Sequence, residues 1–319
     1  MYKRIFLMLA VCTLWSCNEE AKIEKEIAAI PMDFQLVRFD KKFAAATPQN
    51  LAKLQEEYPF MFPAQFPDSL WVKKLNDTIQ QELETEVQKA FPTFENEKTG
   101  LKKLFQHIKY YFPAFEAPRV ITVTSEVDYK NKVILSEDYL FLSLDTYLGK
   151  EHRFYIGIQE FLKKNFRKEQ LLPDVANAYA EKYTPRAQSR TFLSRMIYFG
   201  KLLFLKDKFI PEVDDREKIG YTKDELDWVK NNEAQIWRYF VENETLFDTD
   251  NKLNSRFLYP GPFSKFRLEL DAESPARVGQ YIGWQIVRKY MEEREISLQQ
   301  LLKTDAETIF NNANYKPKK

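Results

Sequence analysis

Thr191-Phe192-Leu193-Ser194-Arg195-Met196-Ile197-Tyr198-Phe199-Gly200-Lys201-Leu202-Leu203-Phe204-Leu205 is apolar on nearly every side except at Arg195 and Lys201. A helix with no polar face cannot lie on a water-exposed surface, so this stretch reads as a helix at the centre of a globular core. Gly200, which has no Cβ, predicts either a close backbone approach by a neighbour or the wall of a functional cavity.

Toward the C-terminus, Asp214-Asp215-Arg216 marks a solvated loop, and Thr222-Lys223-Asp224-Glu225 is a capping box. The helix it opens runs through Trp228, Ile236, Trp237, Phe240 and Val241. Leu258-Tyr259-Pro260-Gly261-Pro262-Phe263-Ser264 is a fixed aromatic corner. Ser274-Pro275 starts the next helix, in which Gly279-Gln280-Tyr281-Ile282-Gly283 has the small-residue spacing of membrane helix dimers. Arg277, Gln285 and Arg288 exclude a membrane span, so these glycines predict close packing inside the core. Ser297-Leu298-Gln299-Gln300 and Thr304-Asp305-Ala306-Glu307 are two more capping boxes, and Lys316-Pro317-Lys318-Lys319 is a solvated tail.

Toward the N-terminus, Leu171 to Tyr183 and the segment holding Phe154, Ile158, Phe161 and Leu162 read as helices. Arg119 to Thr124, Val133 to Leu135 and Tyr139 to Tyr147 are β-branched and aromatic, which predicts two or three antiparallel strands. Before them, Asp68 to Phe91 reads as one long helix and Glu97 to Phe112 as a second, together a hairpin. Tyr58 to Pro67 is an aromatic loop cut by prolines, Thr47-Pro48 a helix start, and Met32 to Phe39 a strand. The fold class is therefore α+β, predominantly α-helical: a multi-helix globular body with a small antiparallel sheet.

Met1-Tyr2-Lys3-Arg4 precedes the apolar run Ile5 to Leu14, too short to span a bilayer, which is the layout of a secretory signal peptide. Leu14-Trp15-Ser16-Cys17 resembles a lipobox, with Trp15 departing from the usual small residue. Cys17 is the expected lipidation site and mature N-terminus. Residues 1–17 are then the leader, 18–31 a tether and 32–319 one mainly helical domain, with a short helix at Ala21 to Ile30 as the alternative to the tether. Asn18 after the Cys predicts the outer membrane, and Glu19-Glu20 leaves open whether the body faces periplasm or medium. Cys12 would leave with the leader, so no disulfide supports the fold. Of 48 basic residues, Lys3 and Arg4 leave too, against 47 acidic residues that stay. A chain so close to neutral is not built for nucleic acid.

Catalytic signatures are few. His107 and His152 are the only histidines, with no H-E-x-x-H and no Cys pair, so no metal site and no cofactor is expected. There is no G-x-S-x-G elbow and no Gly-rich phosphate loop. Carboxylate pairs are numerous, but no spacing singles one out. Asp145 reads as a loop-forming or capping carboxylate and His107 as a surface or satisfied histidine.

Met196-Ile197-Tyr198-Phe199-Gly200-Lys201, Ile219-Gly220-Tyr221-Thr222, Asn232-Glu233-Ala234-Gln235-Ile236-Trp237, Gly261-Pro262-Phe263-Ser264, Gly279-Gln280-Tyr281-Ile282-Gly283-Trp284 and Tyr315-Lys316-Pro317 resemble the gliding motility lipoprotein GldB family of Bacteroidetes. That resemblance implies an outer-membrane lipoprotein working beside motility and type IX secretion envelope proteins, with no enzymatic role. A second likeness is to helical zinc peptidases. Asn177-Ala178-Tyr179-Ala180-Glu181 would stand at their H-E-x-x-H and Phe199-Gly200 at their E-G, with a late glycine helix packed behind. It implies a degenerate zincin-like scaffold kept for binding, without ligands for a metal.

Two functions follow as expectations. One is a lipid-anchored, non-enzymatic binding or scaffold component of the gliding machinery. The other is an envelope hydrolase of peptide or glycan, acting through two acids roughly 5 to 10 Å apart in a cleft. Either would use the aromatic loops as partner surface: Phe62 and Phe66 in the first, Tyr259, Pro262 and Phe263 in the second.

Overall fold

The computed structural model describes residues 21–268 and 271–317. The leader, Cys17, the Asn18-Glu19-Glu20 tract and the last two lysines lie outside the described residues. In chain order come α1 (residues 21–28), β1 (Leu36–Arg38), α2 (Phe39–Ala44), α3 (Leu51–Glu57), α4 (Asp68–Leu75), α5 (Thr78–Ala90), α6 (Glu95–Tyr111), β2 (Arg119–Val123), β3 (Val133–Leu135) and β4 (Tyr139–Ser143). Then follow α7 (Glu160–Lys163), α8 (Leu171–Tyr183), α9 (Phe192–Phe209), α10 (Asp215–Ile219), α11 (Lys223–Asn231), α12 (Glu233–Glu242), α13 (Lys252–Phe257), α14 (Val278–Glu292), α15 (Leu298–Lys303) and α16 (Ala306–Ala313).

α9 is the central helix that its composition demands. Thr191 caps its start by accepting from the Ser194 amide, and Leu193, Met196, Ile197, Leu205 and Phe209 are buried. α14 lies directly against it. A Cβ added at Gly200 would run into the Gly283 carbonyl, and one added at Gly283 into the Met196 carbonyl. The glycines at 200 and 283 therefore let the two backbones touch, as the spacing predicted, and α14 is the late helix packed behind α9.

The sheet order is β1-β2-β4-β3, and it is mixed rather than antiparallel. β1 pairs with β2 and β2 with β4 in parallel, and only β3 with β4 is antiparallel. Parallel neighbours need a crossover of a dozen or more residues. Residues 124–138, which contain β3, supply it between β2 and β4. Apolar content alone identified the strands but carried no information about that path. Both faces are covered: Val120, Leu140 and Leu142 join the large helical core, while Val37 and Ile121 join a smaller core with Phe39, Phe43, Leu51, Leu54 and Tyr58.

Several boundaries differ from the sequence reading, each for a local reason. The stretch from Asp68 is two helices, because Asp77 turns its carboxylate onto the Ile79 and Gln80 amides at 2.8 and 3.1 Å and starts α5 afresh. The helix opened by the Thr222 capping box ends where Asn232 Nδ2 donates to the Trp228 carbonyl at 2.8 Å, and α12 begins after it. Ser274 and Pro275 serve Ser264 instead of α14: Ser274 Oγ donates to the Ser264 carbonyl and Ser264 Oγ to that of Pro275. α16 is capped by Asp305 rather than Thr304, and α3 begins at Leu51 rather than beside Pro48. The Met32 to Phe39 strand shrinks to β1 because Phe39 already opens α2. Residues 21–28 are helical, Ile27 is buried, and Gln106 Nε2 donates to the Ala28 and Ile30 carbonyls at 3.1 and 2.8 Å.

Candidate functional site

α8 and α9 each send one stripe of side chains toward a common cavity. On α8 the stripe is Asp174, Asn177 and Glu181; on α9 it is Phe199, Leu202, Leu203 and Lys206. Spacings of three, four and seven residues keep each set on one helix face. The 162–166 segment, the end of α10, the Tyr259-Pro260-Gly261 corner and the start of α14 close a cleft of about 340 Å³.

Its walls carry Lys132, Lys164, Lys206, Lys218 and Arg277 against Asp174 and Glu181. Three of the cations have carboxylate partners. Lys132 meets Asp174 at 3.1 Å, Lys164 meets Glu225 at 2.6 Å, and Lys218 meets Asp207 at 3.1 Å. Lys206 and Arg277 make no ion pair among the described residues. Lys206, only 7% exposed, donates to the Lys218 carbonyl at 2.8 Å. Arg277 Nη2 donates to the Gly220 carbonyl at 2.9 Å and its guanidinium lies 5.4 Å from the Tyr221 ring centre. Burial pushes the Lys206 amine down to about 8, and Arg277 adds to that depression against the opposing pull of Asp174. Burial likewise lowers Lys164, again helped by Arg277. Arg277 thus repels both Lys206 and Lys164 in a site of low dielectric.

The backbone that presents Arg277 is unusual. Arg277 is the N-cap of α14 and has φ of +66° without being glycine, a left-handed geometry that costs about 1–2 kcal/mol. Gly220, whose carbonyl it meets, has φ of +71° and ends α10. There a Cβ would also press on the Asn165 amide.

The structure brings together Asn177, Glu181 and Phe199, the positions set against the zinc peptidase motif. Asn177 Nδ2 donates to Glu181 Oε1 at 2.7 Å. Among the described residues no three His, Cys, Asp or Glu side chains form a metal set. Tyr259 stands at the rim, with its ring 6.5 Å from that of Phe199; Pro262 is exposed and Phe263 half-buried further along the corner. Phe62 and Phe66 lie elsewhere, edge-on to Trp71 at 5.0 and 6.2 Å beside the smaller core. The two aromatic loops therefore border different cavities.

Asp145 is fully buried and accepts from the Ser125 and Val127 amides at 3.0 and 2.7 Å, holding a turn in which Glu126 and Val127 have positive φ. It forms a loop, as read. His107 is buried against Glu24 at 3.5 Å, and burial lowers its pKa; His152 faces Glu86 at 3.4 Å. Sequence reasoning missed Lys132, Lys164, Lys206 and Arg277. The one available signal was Lys206 continuing the inward stripe of Phe199, Leu202 and Leu203 on a helix with no outward face.

A model of the gliding motility protein GldB family matches residues 20–317, nearly all of the chain. The chain belongs to the GldB family. No curated protein and no solved structure gives a significant match. GldB membership associates the protein with the gliding motility machinery of the cell envelope and with a family of lipoproteins. Among the described residues of this GldB chain, no helix is long and apolar enough to cross a membrane.

Proposed function

We propose that the protein is a non-enzymatic component of the gliding machinery, lipid-anchored through Cys17 to the outer membrane, and that it engages its partners through the α8–α9–α14 cleft. The observation that carries this reading is the pair of cations Lys206 and Arg277, which line the cleft and, among the described residues, have no carboxylate partner of their own. Such a site is arranged to receive a group rather than to transform one. The peptidase-like arrangement is part of the proposal: Asn177, Glu181 and Phe199 occupy the cleft as a scaffold serving binding. An acylated Cys17 would lie four residues before α1, within about 14 Å of it whatever path the chain takes. Docked α1 would then hold the folded body near the membrane surface.

The test is deletion of the gene in its host, complemented by wild type, by Cys17→Ala and by Arg277→Gly, with colony spreading, single-cell movement and lipid labelling scored together. Only the acylated wild type should restore movement fully. Normal movement with Cys17→Ala would remove the anchoring requirement.

A second reading, an envelope hydrolase, draws on Asp174 and Glu181. These two acids lie seven residues apart on one face of α8, so their backbones are about 10 Å apart. Asp174 is already engaged by Lys132 and by the Tyr147 hydroxyl at 3.0 Å. Release of fragments from envelope peptides or glycans by the purified protein, lost in Asp174→Asn, would favour this reading over the first.

A further inference from the structure

We infer that the cleft receives a short peptide end, with the terminal carboxylate seated between the Lys206 ammonium and the Arg277 guanidinium, and with the peptide's N–H groups toward Glu181. This deepens the binding reading proposed above and rests on it. Most of the hydrogen-bonding capacity is unspent among the described residues: an ammonium has three donors and a guanidinium five, and each gives one to a carbonyl here. Arg277 also caps α14, a helix of 15 residues of whose first turn Gln280 lines the same cleft, so the positive end of its dipole adds to the field. A carboxylate placed there offsets the repulsion that Arg277 exerts on Lys206 and Lys164 and gains charge-assisted bonds.

The rest of the cleft selects against a simple phosphate. Glu181 and Asp174 add negative charge to the same space, which disfavours a dianion but welcomes N–H donors. Phe166, Phe199, Leu202 and Leu203 supply an apolar wall for a side chain. A cavity of about 340 Å³ lies at the small end of ligand sites, which suits two or three residues and not a folded segment. The carboxylate can come from a free tripeptide or from the C-terminus of a longer chain, and one experiment separates them.

Titration calorimetry on the 21–319 chain would use Ala-Ala-Phe with a free carboxylate, the same tripeptide as its C-terminal amide, and Ala-Ala-Phe as the last three residues of a carrier protein. The acid should bind, and the amide should bind at least tenfold more weakly. Binding by the carrier as well identifies a chain terminus as the ligand, and binding by the tripeptide alone identifies a free peptide; each supports the assignment. Lys206→Met and Arg277→Gly should each weaken the acid tenfold or more. Arg277→Gly relieves a positive φ, so it keeps the fold even if Lys206→Met does not. Equal binding of acid and amide, binding of inorganic phosphate with none of the tripeptide, or wild-type affinity in folded Arg277→Gly would overturn the assignment. If the tripeptide does not bind while Arg277→Gly still abolishes gliding, the carboxylate assignment fails and the cleft reading stands. If Arg277→Gly glides normally, the cleft reading itself fails.

Discussion

Lys206 illustrates how burial of one ammonium becomes a property of the whole chain. Its amine is pushed down to about 8, whereas the unfolded chain keeps the proton to about 10.5. Between those values the unfolded state binds more protons than the native state, so stability rises with pH; below 8 both states are protonated and the slope vanishes. The stability difference between wild type and Lys206→Met should therefore shift in favour of wild type by about 2 kcal/mol from pH 7 to pH 9.5. Urea denaturation at the two pH values measures it. Lys201, also depressed to about 8, is present in both proteins and cancels. Buried tyrosines such as Tyr147 and Tyr221 are raised, so their contribution has the opposite sign and is lost above about pH 10, outside this window. A pH-independent difference would mean that the Lys206 ammonium is not desolvated.

At the scale of elements, the α9–α14 contact depends on two missing methyl groups. Alanine in place of a helical glycine ordinarily stabilises by about 0.4–1 kcal/mol through the unfolded state. Gly200→Ala and Gly283→Ala should instead destabilise by about 1–3 kcal/mol or more, because each new Cβ meets backbone, which cannot swing aside. Gly100→Ala in α6 is the control: its Cβ would meet the Leu172 Cδ2 and Cδ1 methyls at 3.4 and 3.7 Å, ordinary contact distances, so that variant should gain the usual stabilisation. Urea midpoints with unchanged m-values report all three. A neutral Gly283→Ala would show that the two helices stand further apart. The capping boxes at Thr222 and Ser297 were readable because a cap is a contact between residues three apart. The break at Asp77 was harder to see, since the apolar period runs on through it.

At the scale of the molecule, the two faces of the sheet are unequal. The large core runs from α6 through α8, α9 and α14 to α16, while the smaller one gathers α2, α3 and α4 on the opposite face. Regions with fewer buried apolar contacts open at lower free energy. Native-state hydrogen exchange should find α2 to α4 opening below the global unfolding free energy, and the amides of α9 and α14 exchanging only with it. Equal protection of both regions would mean that the smaller core is coupled to the rest as firmly as α9 is.

The sequence by itself determined the central helix, read over 191–205 and found at 192–209, the glycine approach of α14 onto it, the capping boxes at Thr222 and Ser297, the loop-forming part of Asp145 and the family. Each of these is written in residues close together or in one-sided composition. Strand direction was decided only in three dimensions, because β1, β2 and β4 come side by side through long crossovers that alternation cannot encode. The cleft is of the same kind. Lys132, Lys164, Lys206 and Arg277 come from four separate segments, and whether a charge finds a carboxylate depends on which distant element packs beside it.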